Sequence, residues 1–463
     1  MKIKGQHLYS LIAIFVMIII CVWQITNMNR YSRPEKVIAW DVKSYYAYLP
    51  ATFIEKDYKL QFPNQRDEHG QFKYWPSTAP NGGLVIKTSM GMSVMYAPFF
   101  FLAHHFAEKM GYKADGFTMP YALALIISAL FYFLIGLLFL RLLLLKYFKD
   151  KIVAITLLII GLATNVHWYV YVEAPMSHGY SFALFCIFLY LIEKWQNKQG
   201  WGTSIFMGLI VGLITLIRPT NGLVVILFLL YNITNLKDIR TRVQLFLKNY
   251  GKIIAMIVCV FLVWLPQFLY WKSITGDWLY YSYGDNERFF FNNPQILSVL
   301  FGFRKGWLIY TPVMIFALIG VGMLWKTNKK YFYPIVLFLI INIYVVSSWW
   351  CWWYGGSFGM RALIESYAIL AIPLATFLAW VAKQKLRIKI PLAIVVALIT
   401  SLSAFHTIQY HYGAIHWDAM TKEAYFDSFG RTKYSDKFYE LLVSPDYKLA
   451  REGKKEEKKE IIN

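Results

Sequence analysis

The chain has 463 residues, 58% hydrophobic and 19% aromatic, and only 16% are charged, where a soluble globular protein carries about a quarter. Its formal charge of +21, from 47 Lys+Arg against 26 Asp+Glu, is spread through short loops and builds no basic soluble domain, which excludes nucleic-acid binding. The composition predicts an all-α polytopic membrane protein, in which Lys and Arg gathered on the cytoplasmic side account for the charge.

The first apolar run, Leu8 to Ile25, follows Lys2 and Lys4. It is longer than a signal-peptide core, and no A-x-A-like site occurs from Gln24 to Arg30, so the reading is a retained first helix. Later runs place helices near 119–145, 152–168, 179–192, 203–217, 221–235, 252–271, 306–325, 331–347, 362–382 and 390–406. With the first helix near 8–26, that makes about eleven crossings of a bilayer core roughly 30 Å thick. The short basic loops are Lys146–Lys151, Glu193–Lys198, Lys237–Lys252, Lys326–Lys330 and Lys383–Lys389, with chain enough for two crossings between neighbours. They therefore share one side with the N-terminus, which the positive-inside rule makes the cytoplasm and which leaves the C-terminus outside. The apolar stretch Gly91 to Ala107 would reverse every later loop if it crossed, and is read as an interfacial or re-entrant helix. The expected organisation is a transmembrane domain over 1–406, including a long first outer loop with interfacial helices at 27–118. An extracytoplasmic tail at 407–463 ends in the solvated charged run Lys454–Glu460. Of the four cysteines, Cys21, Cys186 and Cys259 lie in apolar runs and Cys351 in an aromatic cluster, with no metal or disulfide spacing.

Sidedness sorts the polar residues. Asp41 stands among Trp40, Tyr45 and Tyr46 in the first outer loop, where a partly desolvated carboxylate can act as a base or cap a short helix. Glu173 and His178 lie in the outer turn between the third and fourth helices, either as exposed turn residues or as ligands of a divalent cation (Mg, Mn or Zn). Arg218, in Leu216-Ile217-Arg218-Pro219, and Arg361, behind Gly355, Gly356 and Gly359, each sit near membrane depth. There a guanidinium binds an anion or snorkels to the surface. Glu365, one turn beyond Arg361, is its simplest partner. The cluster Trp349-Trp350-Cys351-Trp352-Trp353-Tyr354 is denser than an interfacial belt requires and suits sugar stacking or a lipid tail.

One helix, then Asp41 in a long outer loop ahead of Tyr45-Tyr46-Ala47-Tyr48-Leu49-Pro50, an acid at Glu173, and Gly359-Met360-Arg361-Ala362-Leu363-Ile364-Glu365 opening a late helix: this order resembles the GT-C superfamily of membrane glycosyltransferases. That superfamily includes the protein O-mannosyltransferases and the lipid A aminoarabinose transferase. The resemblance runs from Met1 to about His416. It implies an inverting enzyme of glycan biosynthesis that moves a sugar from a polyprenyl-phosphate donor to an acceptor hydroxyl, on the outer face of a bacterial inner membrane. It further implies Asp41 as general base, Arg218 and Arg361 on the phosphate, and Tyr45, Tyr46, Trp353 and Tyr354 around the substrate. The first loop lacks the paired acids of many relatives, and Glu173 has a His rather than a second acid nearby, which weakens the case for a metal. The competing reading is a transporter or flippase of a lipid-linked saccharide, which predicts internal repeats and midplane polar residues not seen in the sequence.

Overall fold

A computed structural model describes residues 7–284 and 287–454. The chain is mostly helical. Five helices are long and apolar enough to cross a membrane: Leu8–Ser32, Met119–Leu144, Tyr250–Thr275, Lys329–Ser347 and Leu386–His411. Shorter apolar helices run over Trp201–Ile217, Pro219–Leu229, Met314–Thr327 and Ser366–Ala382. The Ser177–Asn197 and Ser366–Ala382 helices are buried on nearly every face. By contrast, Tyr250–Thr275 and Leu386–His411 expose long rows of Ile, Leu, Val and Phe. An apolar surface that tall is stable against lipid and costly against water.

Small residues set the packing. The Trp201–Ile217 helix carries Gly208 and Gly212 on one face, four residues apart, where it meets Tyr250–Thr275. A Cβ on Gly208 would lie 2.5 Å from the Met256 carbonyl oxygen, and one on Gly212 would lie 2.8 Å from Val263 Cβ. Glycine lets the two backbones meet, the usual device where lipid removes the hydrophobic drive between helices.

Four of the five basic loops gather at one end. The Asp150 carboxylate accepts hydrogen bonds from the Tyr9 amide at 2.7 Å and from the Ser10 hydroxyl, and Arg141 donates to that hydroxyl at 2.7 Å. Lys330 pairs with Glu193 at 3.1 Å and donates to the Tyr147 hydroxyl at 2.6 Å. Arg242 donates to Gln196 at 2.8 Å. The start of the first helix and four of the five basic loops are thereby tied together.

Several elements depart from expectation. The expected helix at 221–235 is a 3-10 turn, Pro219–Val224, and one helical turn, Val225–Leu229. The expected helix at 306–325 is split into Trp307–Tyr310 and Met314–Thr327, because Pro312 lacks an amide hydrogen and forces its predecessor out of helical geometry. The long loop after the first helix holds a sheet beside its short helices. The sheet is an antiparallel hairpin, Pro76–Thr78 with Leu84–Ile86, bound to the Tyr250–Thr275 helix where the Ile86 amide donates to Tyr270 at 2.9 Å. Gly91–Ala107 is a helix packed on Met119–Leu144. After His411 the chain folds back, with short helices at Lys422–Asp427 and Tyr447–Arg451, and Ala450 packs on Trp350 and Trp353. Apart from Lys454, the charged run ending at Glu460 lies outside the described residues.

The glycine contact generates a test. Gly208→Val overpacks a tight interface and is expected to lower stability by about 1–3 kcal/mol, read as a lower melting temperature of the solubilised protein. Gly202→Ala, with no neighbour within 4 Å, is expected to leave it unchanged or slightly raised.

Candidate functional site

At the end of the bundle away from the basic loops, the first outer loop meets the segments around Glu173 and Arg361. Arg30 donates to the Val172 carbonyl at 2.7 Å and fixes where the loop enters. Tyr45 and Tyr46 are buried, and the Tyr46 hydroxyl donates to Gly116 at 2.6 Å, so the Asp41–Tyr46 helix is pinned by one face. Asp41 opens this helix and makes no capping bond to it. Its carboxylate Oδ2 instead accepts from Arg361 Nη2 at 3.1 Å, with the Asp41 side chain 46% exposed and that of Arg361 only 12%. The Glu365 partner expected for Arg361 from helical spacing is therefore replaced by Asp41. Arg361 lies in the 3-10 turn Arg361–Leu363 ahead of the Ser366–Ala382 helix, where neighbours four apart do not share a face.

His178 Nδ1 donates to the Glu365 carboxylate at 3.0 Å, both side chains buried. His178 is thus no exposed turn residue. The Arg361 segment is clamped by the Phe358 amide donating to the Tyr169 hydroxyl at 3.1 Å and by Asn165 donating to the Phe358 carbonyl at 3.1 Å. Gly359, at φ 58°, supplies the left-handed turn just before Arg361. Two non-glycine residues beside the site share that strained region: Trp40 at φ 49°, immediately before Asp41, and Tyr354 at φ 58°. Such backbone costs about 1–3 kcal/mol per residue and concentrates at functional sites.

Arg218 follows the Trp201–Ile217 helix, half-buried. Among the described residues it has no side-chain hydrogen bond or ion pair, yet it lies within electrostatic reach of Tyr45, Glu365, Arg361 and Tyr354. Tyr283 feels Tyr45, Arg218 and Asp41 together. The structure thereby gathers Asp41, Arg361, Arg218, Tyr45 and Tyr354. It does not bring Tyr46 or Trp353 to them: Tyr46 braces the loop, and Trp353 is buried against Tyr447, 5.3 Å between rings. Set beside models of known families and curated proteins, the chain matches none.

Glu173 faces Arg361, Arg30 and Lys305, and burial, only partly opposed by those cations, holds its carboxyl above the usual range. Glu365 takes Nδ1 of His178 and leaves Nε2 without a partner among the described residues, while Arg361, Arg30 and Lys305 lie within electrostatic reach of Glu173. Beyond Tyr45 lies an apolar cavity of about 670 Å³ between the first loop and the Gly91–Ala107 and Tyr250–Thr275 helices, lined by Phe53, Val94, Phe101 and Leu269. Ser93 on its wall donates to the Tyr45 carbonyl at 2.5 Å, so the cavity and the charged cluster share one strut.

Lys305 was not singled out by sequence. It is buried, and it donates to the carbonyls of Ser357 and Trp417, fastening the refolded C-terminal segment to the loop that carries Arg361. The sequence signal was a basic pair, Arg304-Lys305, directly before an apolar run. Burial lowers its ammonium to about 7, despite attraction from Asp418. A neutral amine keeps two N–H donors, enough for both carbonyls. The unfolded chain binds this proton more tightly than the folded one, so stability is lost as pH falls from 10 toward 7 and gained as it rises. Melting temperature is accordingly expected to climb between about pH 7 and 10, by on the order of a few kcal/mol in stability, and the climb should flatten in Lys305→Met.

Proposed function

We propose that this chain is a membrane glycosyltransferase of the GT-C type, which passes a sugar from a polyprenyl phosphate to an acceptor hydroxyl with inversion. The observation that carries the proposal is the Asp41–Arg361 pair beside Arg218, which makes no side-chain hydrogen bond or ion pair among the described residues. A guanidinium left unpaired near membrane depth is an anion site in waiting. The neighbouring apolar cavity suits the hydrocarbon of a lipid-linked donor better than a nucleotide. On this reading the chain crosses the bilayer about eleven times, with the basic loops in the cytoplasm and the site on the opposite face of a bacterial inner membrane.

The donor is a phosphodiester with one negative charge. When its phosphate enters, Arg218 and the planar fork of Arg361 take its oxygens, and Asp41 is released from Arg361. Asp41, still half exposed, accepts the proton of the acceptor hydroxyl as that oxygen attacks the anomeric carbon. The bond from that carbon to the phosphate oxygen breaks on the opposite face, and its electron pair leaves with the lipid phosphate, now a monoester of nearly two negative charges. Charge grows where the two arginines are fixed, so they hold the transition state more tightly than the ground state. No further cation is needed for this balance.

Proton abstraction of this kind contributes roughly 10²–10⁴-fold. Asp41→Asn should lower turnover of a polyprenyl-phosphate sugar by that factor while donor binding persists, and undiminished transfer would defeat the proposal. Arg218→Ala should reduce kcat/KM by about 10²–10³-fold and weaken capture of sugar-free polyprenyl phosphate alongside.

A further inference from the structure

A second cavity, of about 440 Å³, is walled by Trp349, Trp350, Trp352 and Trp353 with the carboxamides of Asn293 and Gln295. Its size is in the range of small-ligand sites. The walls are held firmly. The Trp350 amide donates to the Arg288 carbonyl at 3.1 Å, the Gln295 amide to the Ser347 carbonyl at 2.8 Å, and Asn293 to the Gly453 carbonyl at 2.7 Å. Arg451 covers a face of Trp350 at 5.3 Å and Arg304 a face of Trp353 at 5.5 Å, while Trp349 and Trp352 remain half-buried.

Three features define the ligand. Half-open indole rings offer flat apolar faces. The carboxamides of Asn293 and Gln295 and the hydroxyls of Ser298 and Ser348 between them offer polar atoms. Among the described residues of the lining the one charged side chain is Lys454, which pairs with Glu452 at 2.8 Å, and the nearby Arg451 and Arg304 are laid over Trp faces. An alkyl chain would leave the polar atoms unanswered, and a nucleotide would need a cation. A pyranose has an apolar C–H face and a polar rim, which answers all three.

We propose that this cavity is a binding site for a neutral saccharide and that it seats the acceptor. The acceptor assignment rests on the transferase reading; the saccharide site does not. Trp349 belongs to the wall and also stands 5.8 Å, ring to ring, from Tyr283, which lies within the field of Asp41 and Arg218. A chain of sugars seated against Trp349 thus runs past Tyr283 toward the base.

The test uses the full chain in lipid nanodiscs, free of glycoside detergents, with cellotetraose, chitotetraose and maltotetraose as probes in saturation-transfer NMR. At least one probe should bind saturably at millimolar concentration, weakened tenfold or more by Trp352→Ala and by Gln295→Leu, and unchanged by Asp41→Asn. Absence of saturable binding by all three, or binding by Trp352→Ala equal to that of the unmodified chain, overturns the site. Saturable binding by a chain that never transfers sugar would remove the transferase reading and leave the saccharide site in place.

Discussion

An ion pair that joins residues 320 positions apart closes one end of an otherwise apolar bundle: Asp41 on Arg361, at 3.1 Å. Its worth as a stabiliser is small. The carboxylate is half exposed, and pairs of that exposure contribute about 0–1 kcal/mol. Its significance lies in what must be true for it to form. The first outer loop has to be pinned by Tyr46 on Gly116 and by Arg30 on Val172, and the Arg361 loop by Tyr169 and Asn165. Much fixed structure is thus devoted to an interaction that contributes little itself, the pattern expected when two charges are positioned for something else.

The surroundings divide the labour. Near the pair, Arg218 makes no side-chain hydrogen bond or ion pair among the described residues, and burial pushes the Lys305 ammonium toward its neutral form. Two cavities differ in character, one lined by Phe, Val and Leu and joined to the cluster through Ser93 and Tyr45, the other walled by Trp and amides, with Trp349 against Tyr283. A lipid-borne sugar and a second saccharide would each find a matching wall, with the carboxylate and the arginines between them.

Most helices were legible because a run of about 20 apolar residues has few alternatives to a membrane helix. The sequence-derived helix at 119–145 is found at Met119–Leu144, and that at 252–271 within Tyr250–Thr275. What escaped was set by local chemistry that hydropathy averages away: Pro312 splitting one helix, Pro219 and Gly222 shortening another, and a hairpin of three-residue strands. Asp41 and both arginines stood out as charges beside apolar runs. Their partners did not, because pairing across hundreds of residues leaves no local trace. Helical spacing therefore pointed Arg361 at Glu365, and nothing in the chain order pointed Glu365 at His178. Lys305 escaped for a related reason, since its partners are backbone carbonyls, which every residue has.

The central claim is that Arg218 and Arg361 converge on a single phosphate next to Asp41. A structure of the chain in nanodiscs with a bound short-chain polyprenyl phosphate tests it most directly. The account predicts phosphate density within hydrogen-bond distance of both guanidiniums, with Asp41 released from Arg361 and the hydrocarbon in the cavity lined by Phe53 and Phe101. Phosphate bound elsewhere, with the Asp41–Arg361 pair undisturbed, would contradict it.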